Sequence, residues 1–132
     1  MKLLHTSDWH LGRMLYGRSL LEDQRWFLER VFLPQVERER PACVILAGDV
    51  YARQIAPTEA IRLFDTVLNS LMDLGTKVCV IAGNHDGADR MALLKTALRR
   101  NGVYFATELS DALDPVVLEE DGQTLPLFLL PY

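Results

Sequence analysis

The sequence has only two cysteines, Cys43 and Cys79, and no apolar run long enough to span a bilayer. It also lacks a signal-peptide pattern, because the chain enters a strand-like pattern directly at Met1. These absences argue against a disulfide scaffold and a transmembrane protein. We therefore expect two reduced thiols in the core and a cytoplasmic protein without a membrane partner.

A basic excess is also missing. The formal net charge is -4, so no global positive field favours nucleic acid, and any contact with a polyanion must come from local patches or from metal ions. The charge neither shows nor excludes DNA as a substrate. With 49% hydrophobic and 24% charged residues and no internal repeats, the 132-residue sequence is typical of one globular domain.

The stretch from Val44 to Asp49 has the pattern of a buried strand that ends on a carboxylate. Four consecutive apolar residues bounded by Gly48 suit a strand covered on both faces, as in a parallel sheet flanked by helices. Ligands of such sheets bind outside the carboxyl ends of the strands, where Asp49 would lie. Alone, this aspartate is better explained as an ordinary turn residue.

Two further predicted strands end in the same way, and they change that interpretation. The first runs over residues 2–7 into Asp8 and His10, and the other over residues 77–82 into Asn84 and His85. We expect Asp8-Trp9-His10 to be extended, so that the aspartate and the histidine project to one side and Trp9 to the other.

The intervening pattern predicts helices that alternate with the strands, and hence an α/β fold with all three polar strand ends on one edge. A kink is expected at Pro34, a helix C-cap at Gly75 and a helix N-cap at Asp89. Aromatic residues such as Trp26 are expected in the core. The predicted helices cover 20–39, 58–74 and 90–100, with strands at 42–47 and 103–105 and a hairpin of residues 116–118 and 125–130 around Asp121-Gly122.

The segment from Leu11 to Ser19 is predicted to be a flexible, locally basic loop beside the strand ends. Its residues Arg13, Tyr16 and Arg18 have two interpretations, a solvated loop or a contact with substrate phosphate. The sequence leaves both open.

Carboxylate, imidazole and amide groups from three loops suit hard-to-borderline divalent ions such as Mn²⁺, Mg²⁺, Fe²⁺ or Zn²⁺. Two such ions would activate water and stabilise a phosphoryl-like transition state, with Asp49 as the natural bridge between them. The leaving alkoxide needs a proton, and His85 is the best candidate donor. Each motif is weak alone, but their order and shared position at strand ends make chance a poor explanation.

Three motifs follow the predicted strands: Asp8-x-His10, Gly48-Asp49 and Gly83-Asn84-His85-Asp86, together with the wider stretches from His5 to Gly12 and from Ala47 to Tyr51. In these motifs the sequence resembles the calcineurin-like metallophosphoesterases and, within them, the SbcD-type nucleases of the double-strand-break repair exonuclease family. The resemblance implies a four-layer αββα sandwich, of which residues 1–132 would form the N-terminal portion, roughly the first half.

By this resemblance, Asp8 and His10 would bind one Mn²⁺, Asp49 would bridge two ions, and Asn84 would bind the second, with Mg²⁺ as another possible metal. His85 would assist the leaving sugar oxygen without binding metal. His5 and Asp86 would surround these ligands. The implied protein is a DNA exonuclease and endonuclease that acts with the SbcC ATPase and forms a homodimer through its N-terminal helices.

The sequence also departs from the family pattern. Its only histidines are His5, His10 and His85, whereas family members supply further ligands from a later histidine and a Gly-His-x-His motif. By the same resemblance, the capping domain and the SbcC-binding tail would not be part of these 132 residues. Position 52 is Ala where relatives often have Asp. Two alternatives therefore stand beside the nuclease: a phosphatase or cyclic-nucleotide phosphodiesterase, and a dimerising fragment that is catalytically incomplete.

Overall fold

The structure is a computed structural model that describes residues 1–93 and 95–132. In chain order its elements are β1 (Leu3–Thr6), β2 (Met14–Leu15), β3 (Arg18–Ser19), α1 (Leu21–Phe27), a π-helical turn (Leu28–Phe32), α2 (Leu33–Glu39), β4 (Cys43–Ala47), α3 (Thr58–Asp73), β5 (Lys77–Ile81), α4 (Ala88–Met91), α5 (Lys95–Arg99), β6 (Val103–Ala106), a 3₁₀ turn (Leu109–Leu113), β7 (Val116–Glu120) and β8 (Gln123–Leu127).

Four parallel strands form the central sheet in the order β1-β4-β5-β6. Parallel pairing places the carboxyl ends of β1, β4 and β5 side by side, which confirms the predicted α/β fold and the single polar edge. We call this edge, residues 8–12, 48–52 and 83–86, the metal edge.

One face of the sheet packs against the helices. Alternate residues of the central strands, such as Leu46 and Val80, point into this core. The helix α3 covers them with its buried stripe, and full burial of each large side chain there contributes about 1.5–3 kcal/mol. Ile61 of α3 lies beside this stripe on the helix surface and is 46% exposed. The stripe consists of Ala60, Leu63, Phe64, Val67, Leu68 and Leu71.

The opposite face of the sheet is covered in part by the β7–β8 hairpin. Cys43 and Cys79 are fully buried there as free thiols, with their Sγ atoms 3.5 Å apart, which confirms the prediction of core thiols. His5 is different: it was expected to lie around the predicted ligands, and its side chain is exposed. Strand alternation turns Leu4 toward the helices and His5 toward the face of β1 that the described residues leave open.

Residues 21–39 form one helical segment without a gap. Its hydrogen-bond pattern changes from that of an α-helix to that of a π-helix over Leu28–Phe32, just before Pro34. Because proline has no N–H, a local change of the hydrogen-bond pattern at this point accommodates it. The expectation that Trp26 and its aromatic neighbour Phe27 lie in the core is wrong, since they are 62% and 49% exposed. The buried stripe passes through Leu21 and Leu28. Trp26 lies on the opposite side of the helix, and Phe27 lies at the edge of the stripe.

The prediction of one helix over 90–100 is also wrong. Two short helices, α4 and α5, occupy this region, and position 94 lies outside the described residues. Asp89 lies in the first turn of α4, whose N-cap is Gly87, so it is not the cap. The predicted turn residues behave as expected: Gly75 has φ 72° after α3, and Asp121 and Gly122 have φ 50° and 75° in the β7–β8 turn.

Of the helices in the part of the chain that the structure describes, none is long and apolar enough to cross a membrane.

Candidate metal centre

The residues that follow β1 are not extended. Asp8 and His10 both have left-handed backbone conformations, with φ 55° and 47°, so the expected extended backbone is wrong. The two side chains still lie together, as expected, with Nε2 of His10 3.7 Å from Oδ1 of Asp8. Backbone N–H groups of the two residues donate to the carbonyls of Gly48 and Asp49, so this loop continues alongside the end of β4. Trp9 turns the other way and stacks edge-on against Phe32 in the core, with 5.2 Å between ring centroids.

These conformations bring the first two strand ends together. Nε2 of His10 lies 3.7 Å from Oδ1 of Asp8 and 3.7 Å from Oδ2 of Asp49. The Asp49 side chain is only 14% exposed, whereas that of Asp8 is 63% exposed. Asp49 also has a left-handed backbone, with φ 46°, and its Oδ1 accepts the backbone N–H of His85 at 3.1 Å.

Asn84 joins the group from the end of β5. One end of its amide lies 3.2 Å from Oδ1 and 3.3 Å from Oδ2 of Asp49. With the NH₂ group at that end, Asn84 donates to the carboxylate. With the oxygen there instead, amide and carboxylate oxygens converge, an arrangement that a cation satisfies.

His85 lies closer to the other donors than the sequence indicated. Its ring centroid is 5.4 Å from that of His10, and one donor atom from each of His10, Asp49 and His85 falls within 4.8 Å of the others. Nδ1 of His85 lies 3.3 Å from the backbone oxygen of Ala52. The contact uses the main chain of Ala52 and does not depend on its side chain.

Asp86 is buried directly behind the loops. Its carboxylate accepts the backbone N–H groups of Val50, Tyr51 and Gly83 at 3.2, 2.9 and 2.9 Å. It therefore fixes the loop that follows β4 to the loop that follows β5. Burial, with the negative charges of Asp86 and Asp65, raises the pKa of the Tyr51 phenol.

The packing at this edge is close enough to constrain Gly83. A Cβ atom at this position would lie 2.3 Å from Oδ1 and 2.4 Å from the backbone N of Asp49. Glycine therefore allows the two loops to approach each other.

The segment after the first loop is a small hairpin, not the expected flexible loop. Strands β2 and β3 pair around Tyr16 and Gly17, whose φ values of 46° and 78° match a tight primed turn. Arg13, Tyr16 and Arg18 are exposed on it, and Tyr16 is 99% exposed. The N–H of Arg13 donates to the carbonyl of His10 at 3.0 Å, so the hairpin begins at the metal edge.

Sequence reasoning missed Gln24. From α1, its side chain hydrogen-bonds three backbone groups of the loop that carries His10. A glutamine on the polar side of an amphipathic helix has no local pattern that identifies such a role, because the loop lies 12 to 15 residues away in sequence.

The donors fit a divalent metal. Carboxylate oxygens, imidazole nitrogen and amide oxygen form a set for hard-to-borderline ions, and no thiolate belongs to it within the described residues. With Nε2 of His10 directed at two carboxylates, its Nδ1 is buried and lacks a hydrogen-bond partner in the described structure. The observation that favours a cation is the convergence of His10 Nε2 with two carboxylate oxygens, each 3.7 Å away.

Comparison with known proteins agrees with this chemistry. The chain is similar to the SbcD subunit of the SbcCD nuclease of Staphylococcus epidermidis, with 36% identity over 133 residues, covering 100% of this chain and 34% of the relative. A protein of the same name from Staphylococcus saprophyticus is 35% identical over 128 residues, covering 96% of this chain and 34% of the relative. The chain thus spans about a third of these relatives.

A family model described as calcineurin-like phosphoesterase matches residues 1–128. The match includes every residue of the metal edge, and together with the donor set it supports the binding of a divalent metal ion. The chain belongs to the calcineurin-like phosphoesterase family.

Proposed function

We propose that this chain is the N-terminal portion of the nuclease domain of a metal-dependent DNA exonuclease and endonuclease. The observation that carries the proposal is the convergence of Asp8, His10 and Asp49 at neighbouring strand ends, with 3.7 Å from Nε2 of His10 to each carboxylate. The similarity to proteins named as nuclease subunits supports DNA as the substrate. The remaining ligands would come from residues beyond these 132.

In this proposal Asp8 and His10 hold one metal ion, Asp49 is shared between two, and Asn84 holds the second. Mn²⁺ is the proposed metal, with Mg²⁺ as an alternative that suits the same oxygen donors. Bound metal would supply Lewis-acid activation of water and neutralise charge on the phosphodiester. Asp86 would maintain the spacing of the Asp49 and Asn84 loops through its three backbone hydrogen bonds.

His85 is the proposed proton donor to the leaving sugar oxygen. A proton on Nδ1 is directed to the carbonyl of Ala52, which leaves Nε2 free to face the reacting groups. In the protonated ring Nε2 then carries the transferable proton. Arg13, Tyr16 and Arg18 would contact the substrate from the exposed β2–β3 hairpin, the arginines through phosphate.

The proposed partners are DNA, an SbcC-type ATPase and a second copy of the chain. The relatives are named as one component of a two-component nuclease, which supports an ATPase partner by analogy. Exposed apolar residues on the N-terminal helices, Trp26 at 62% and Ile61 at 46%, support association of two copies through α1, α2 and α3. Light scattering of the parent and of Trp26→Glu tests this, because the variant should reduce the dimer fraction.

The decisive activity test compares substrates on the full-length protein that carries these residues. With Mn²⁺, linear duplex DNA should be degraded, whereas a phosphoserine peptide and a cyclic nucleotide should not be. The reverse preference would favour the second candidate function, a phosphatase or cyclic-nucleotide phosphodiesterase, which the same donor set could also serve.

The His85→Ala variant tests the proton-donor role separately from metal binding. It should retain Mn²⁺ affinity within a few fold and lose about 10²–10⁴-fold in strand cleavage, the usual contribution of a general acid. Cleavage at the parent rate would exclude the role. A parallel large loss of Mn²⁺ affinity would instead make His85 a ligand, which its proximity to His10 and Asp49 allows.

Calorimetric titration of the chelator-treated 132-residue chain with Mn²⁺ distinguishes a complete two-metal site from an incomplete one. Two tight ions per chain would mean that a second chain or another source completes the ligand set. A single weak ion would mean that these residues alone form a catalytically incomplete fragment.

A further inference from the structure

The loop that carries His10 has its backbone groups satisfied from two sides. On one side, the N–H groups of His10 and Leu11 donate to the carbonyls of Asp49 and Val50 at 2.9 Å each. This side ties the loop to the end of β4. The carbonyls of Trp9 and His10 point the other way, toward α1.

Gln24 of α1 hydrogen-bonds the loop on this second side. Its Nε2 donates to the carbonyl of Trp9 at 2.9 Å and to that of His10 at 3.0 Å, while its Oε1 accepts the N–H of Gly12 at 3.1 Å. Both hydrogens and one lone pair of the amide are therefore used by a single loop. Gln24 is partly buried, so water competes weakly for these bonds.

We infer that Gln24 is a positioning residue for the metal centre, a role that rests on the proposed function of His10 as a ligand. His10 and Asp8 occupy left-handed conformations that a chain adopts only when its surroundings enforce them. Gln24 binds the carbonyls on both sides of the His10 Cα atom, and thereby fixes the direction in which the imidazole leaves the backbone. Metal affinity then depends on a helix that supplies no ligand.

Only an amide satisfies this loop fully. Two carbonyls and one N–H require two donors and one acceptor within a single planar group, which glutamine provides and glutamate does not. The Gln24→Glu variant keeps the size of the side chain and the acceptor for Gly12, but directs an oxygen at two carbonyl oxygens. It therefore tests the orientation of the loop with little loss of packing.

The experiment uses the full-length protein that carries these residues. It measures Mn²⁺ affinity by calorimetry and the thermal midpoint of the metal-free protein, for the parent, Gln24→Glu and Gln24→Ala. Gln35 offers a matched control on α2: it is also partly buried, but its amide contacts only the side chains of Arg38 and Glu39 among the described residues. Gln35→Glu and Gln35→Ala change the same chemistry in the same kind of helix away from the loop.

We expect both Gln24 variants to bind Mn²⁺ about 10–100-fold more weakly than the parent, as is typical when the outer partner of a metal ligand is removed. Both Gln35 variants should bind within twofold of the parent. Equal affinity of the parent and the Gln24 variants would overturn this inference and leave the proposed function standing. Equal losses for Gln24 and Gln35 variants would also overturn it, because they would show a general effect of helix stability.

Failure of the full-length parent, which carries every ligand, to bind Mn²⁺ would overturn the proposed function together with the inference. Amide hydrogen exchange provides a readout that needs no metal. In the metal-free Gln24→Glu protein, exchange at Gly12 and Leu11 should accelerate, while exchange at Val78 in β5 should not. Unchanged exchange at Gly12 and Leu11 would contradict the proposed role of Gln24 as a positioning residue.

Discussion

The metal edge and the peripheral turns use the same strained backbone for different purposes. Among the described residues, six that are not glycine have left-handed φ angles, and they divide evenly between the two regions. At the metal edge they are Asp8 (55°), His10 (47°) and Asp49 (46°), and in the peripheral turns they are Tyr16 (46°), Arg40 (44°) and Asp121 (50°).

In the turns, the chain reversal needs the backbone angle and the side chain is incidental. Arg40 is exposed at the C-cap of α2, and Asp121 is exposed in the β7–β8 turn, where glycine would serve as well. At the metal edge, glycine would satisfy the backbone but remove the proposed ligand. Strain at Asp8, His10 and Asp49 is therefore best explained by the side chains that it orients.

The sharpest test replaces Asp49 by glycine. We expect Asp49→Gly to lower Mn²⁺ affinity by more than the roughly 10–100-fold that loss of an outer partner causes. The unfolding free energy of the metal-free protein should change by only about 1 kcal/mol, because relief of left-handed strain opposes loss of the His85 N–H hydrogen bond. Calorimetry and urea denaturation measure the two quantities.

Asp121→Gly is the peripheral control. It should leave Mn²⁺ affinity unchanged and should not destabilise the protein. If Asp49→Gly bound Mn²⁺ within tenfold of the parent, strain at the metal edge would have no relation to metal binding and the comparison would fail.

The second test compares two carboxylates that accept backbone N–H groups, Asp86 at the metal edge and Asp111 in the 3₁₀ turn. Replacement of either by Asn puts an NH₂ group near a backbone donor and should cost about 1–3 kcal/mol of unfolding free energy. Only Asp86→Asn should also weaken Mn²⁺ binding, by about 10–100-fold. Equal Mn²⁺ affinities of the two variants would remove Asp86 from the proposed centre.

A third test uses acid. Burial alone would raise the pKa of Asp111, but hydrogen bonds from Lys95 and from the N–H groups of Thr107 and Glu108 outweigh it and hold that pKa below its ordinary value. The stabilisation by Asp111 is therefore complete above the unfolded pKa of about 3.9 and is lost as the pH falls through the lower, folded pKa. The gap in thermal midpoint between the parent and Asp111→Asn should narrow below about pH 4. A constant gap down to pH 2 would contradict this assignment.

The α/β architecture could be predicted from the sequence because the patterns that indicate strands and turns lie within short stretches of the chain. Apolar runs such as residues 44–47 determine buried strands, and the Asp121-Gly122 pair determines the hairpin turn. Trp26 shows where such reasoning fails: a helix of mixed polarity has several possible apolar faces, and only the packing of Leu21 and Leu28 decides between them.

The meeting of these polar side chains at the metal edge was also predictable, because parallel strands must bring their carboxyl ends together. The backbone conformation of the loop that follows β1 was not predictable. An extended chain with alternating side chains is the default prediction for Asp8-Trp9-His10. The left-handed φ angles depend on hydrogen bonds to residues 48–49 and to Gln24, which are distant in sequence, so no local pattern predicts them. For the same reason, Gln24 and the carbonyl of Ala52 became visible only in three dimensions.

The smallest expected effect belongs to the periphery. Arg40→Gly should raise the unfolding free energy by about 0.5 kcal/mol, because relief of left-handed strain of about 1–2 kcal/mol exceeds the conformational entropy that glycine adds to the unfolded chain. Urea denaturation should show a higher midpoint with an unchanged slope. Arg38→Gly, inside α2, is the matched control and should lower stability by about 1 kcal/mol, because its backbone is already right-handed. Should both variants destabilise equally, the Arg40 side chain would contribute to the fold, and strain in the turns would no longer be incidental.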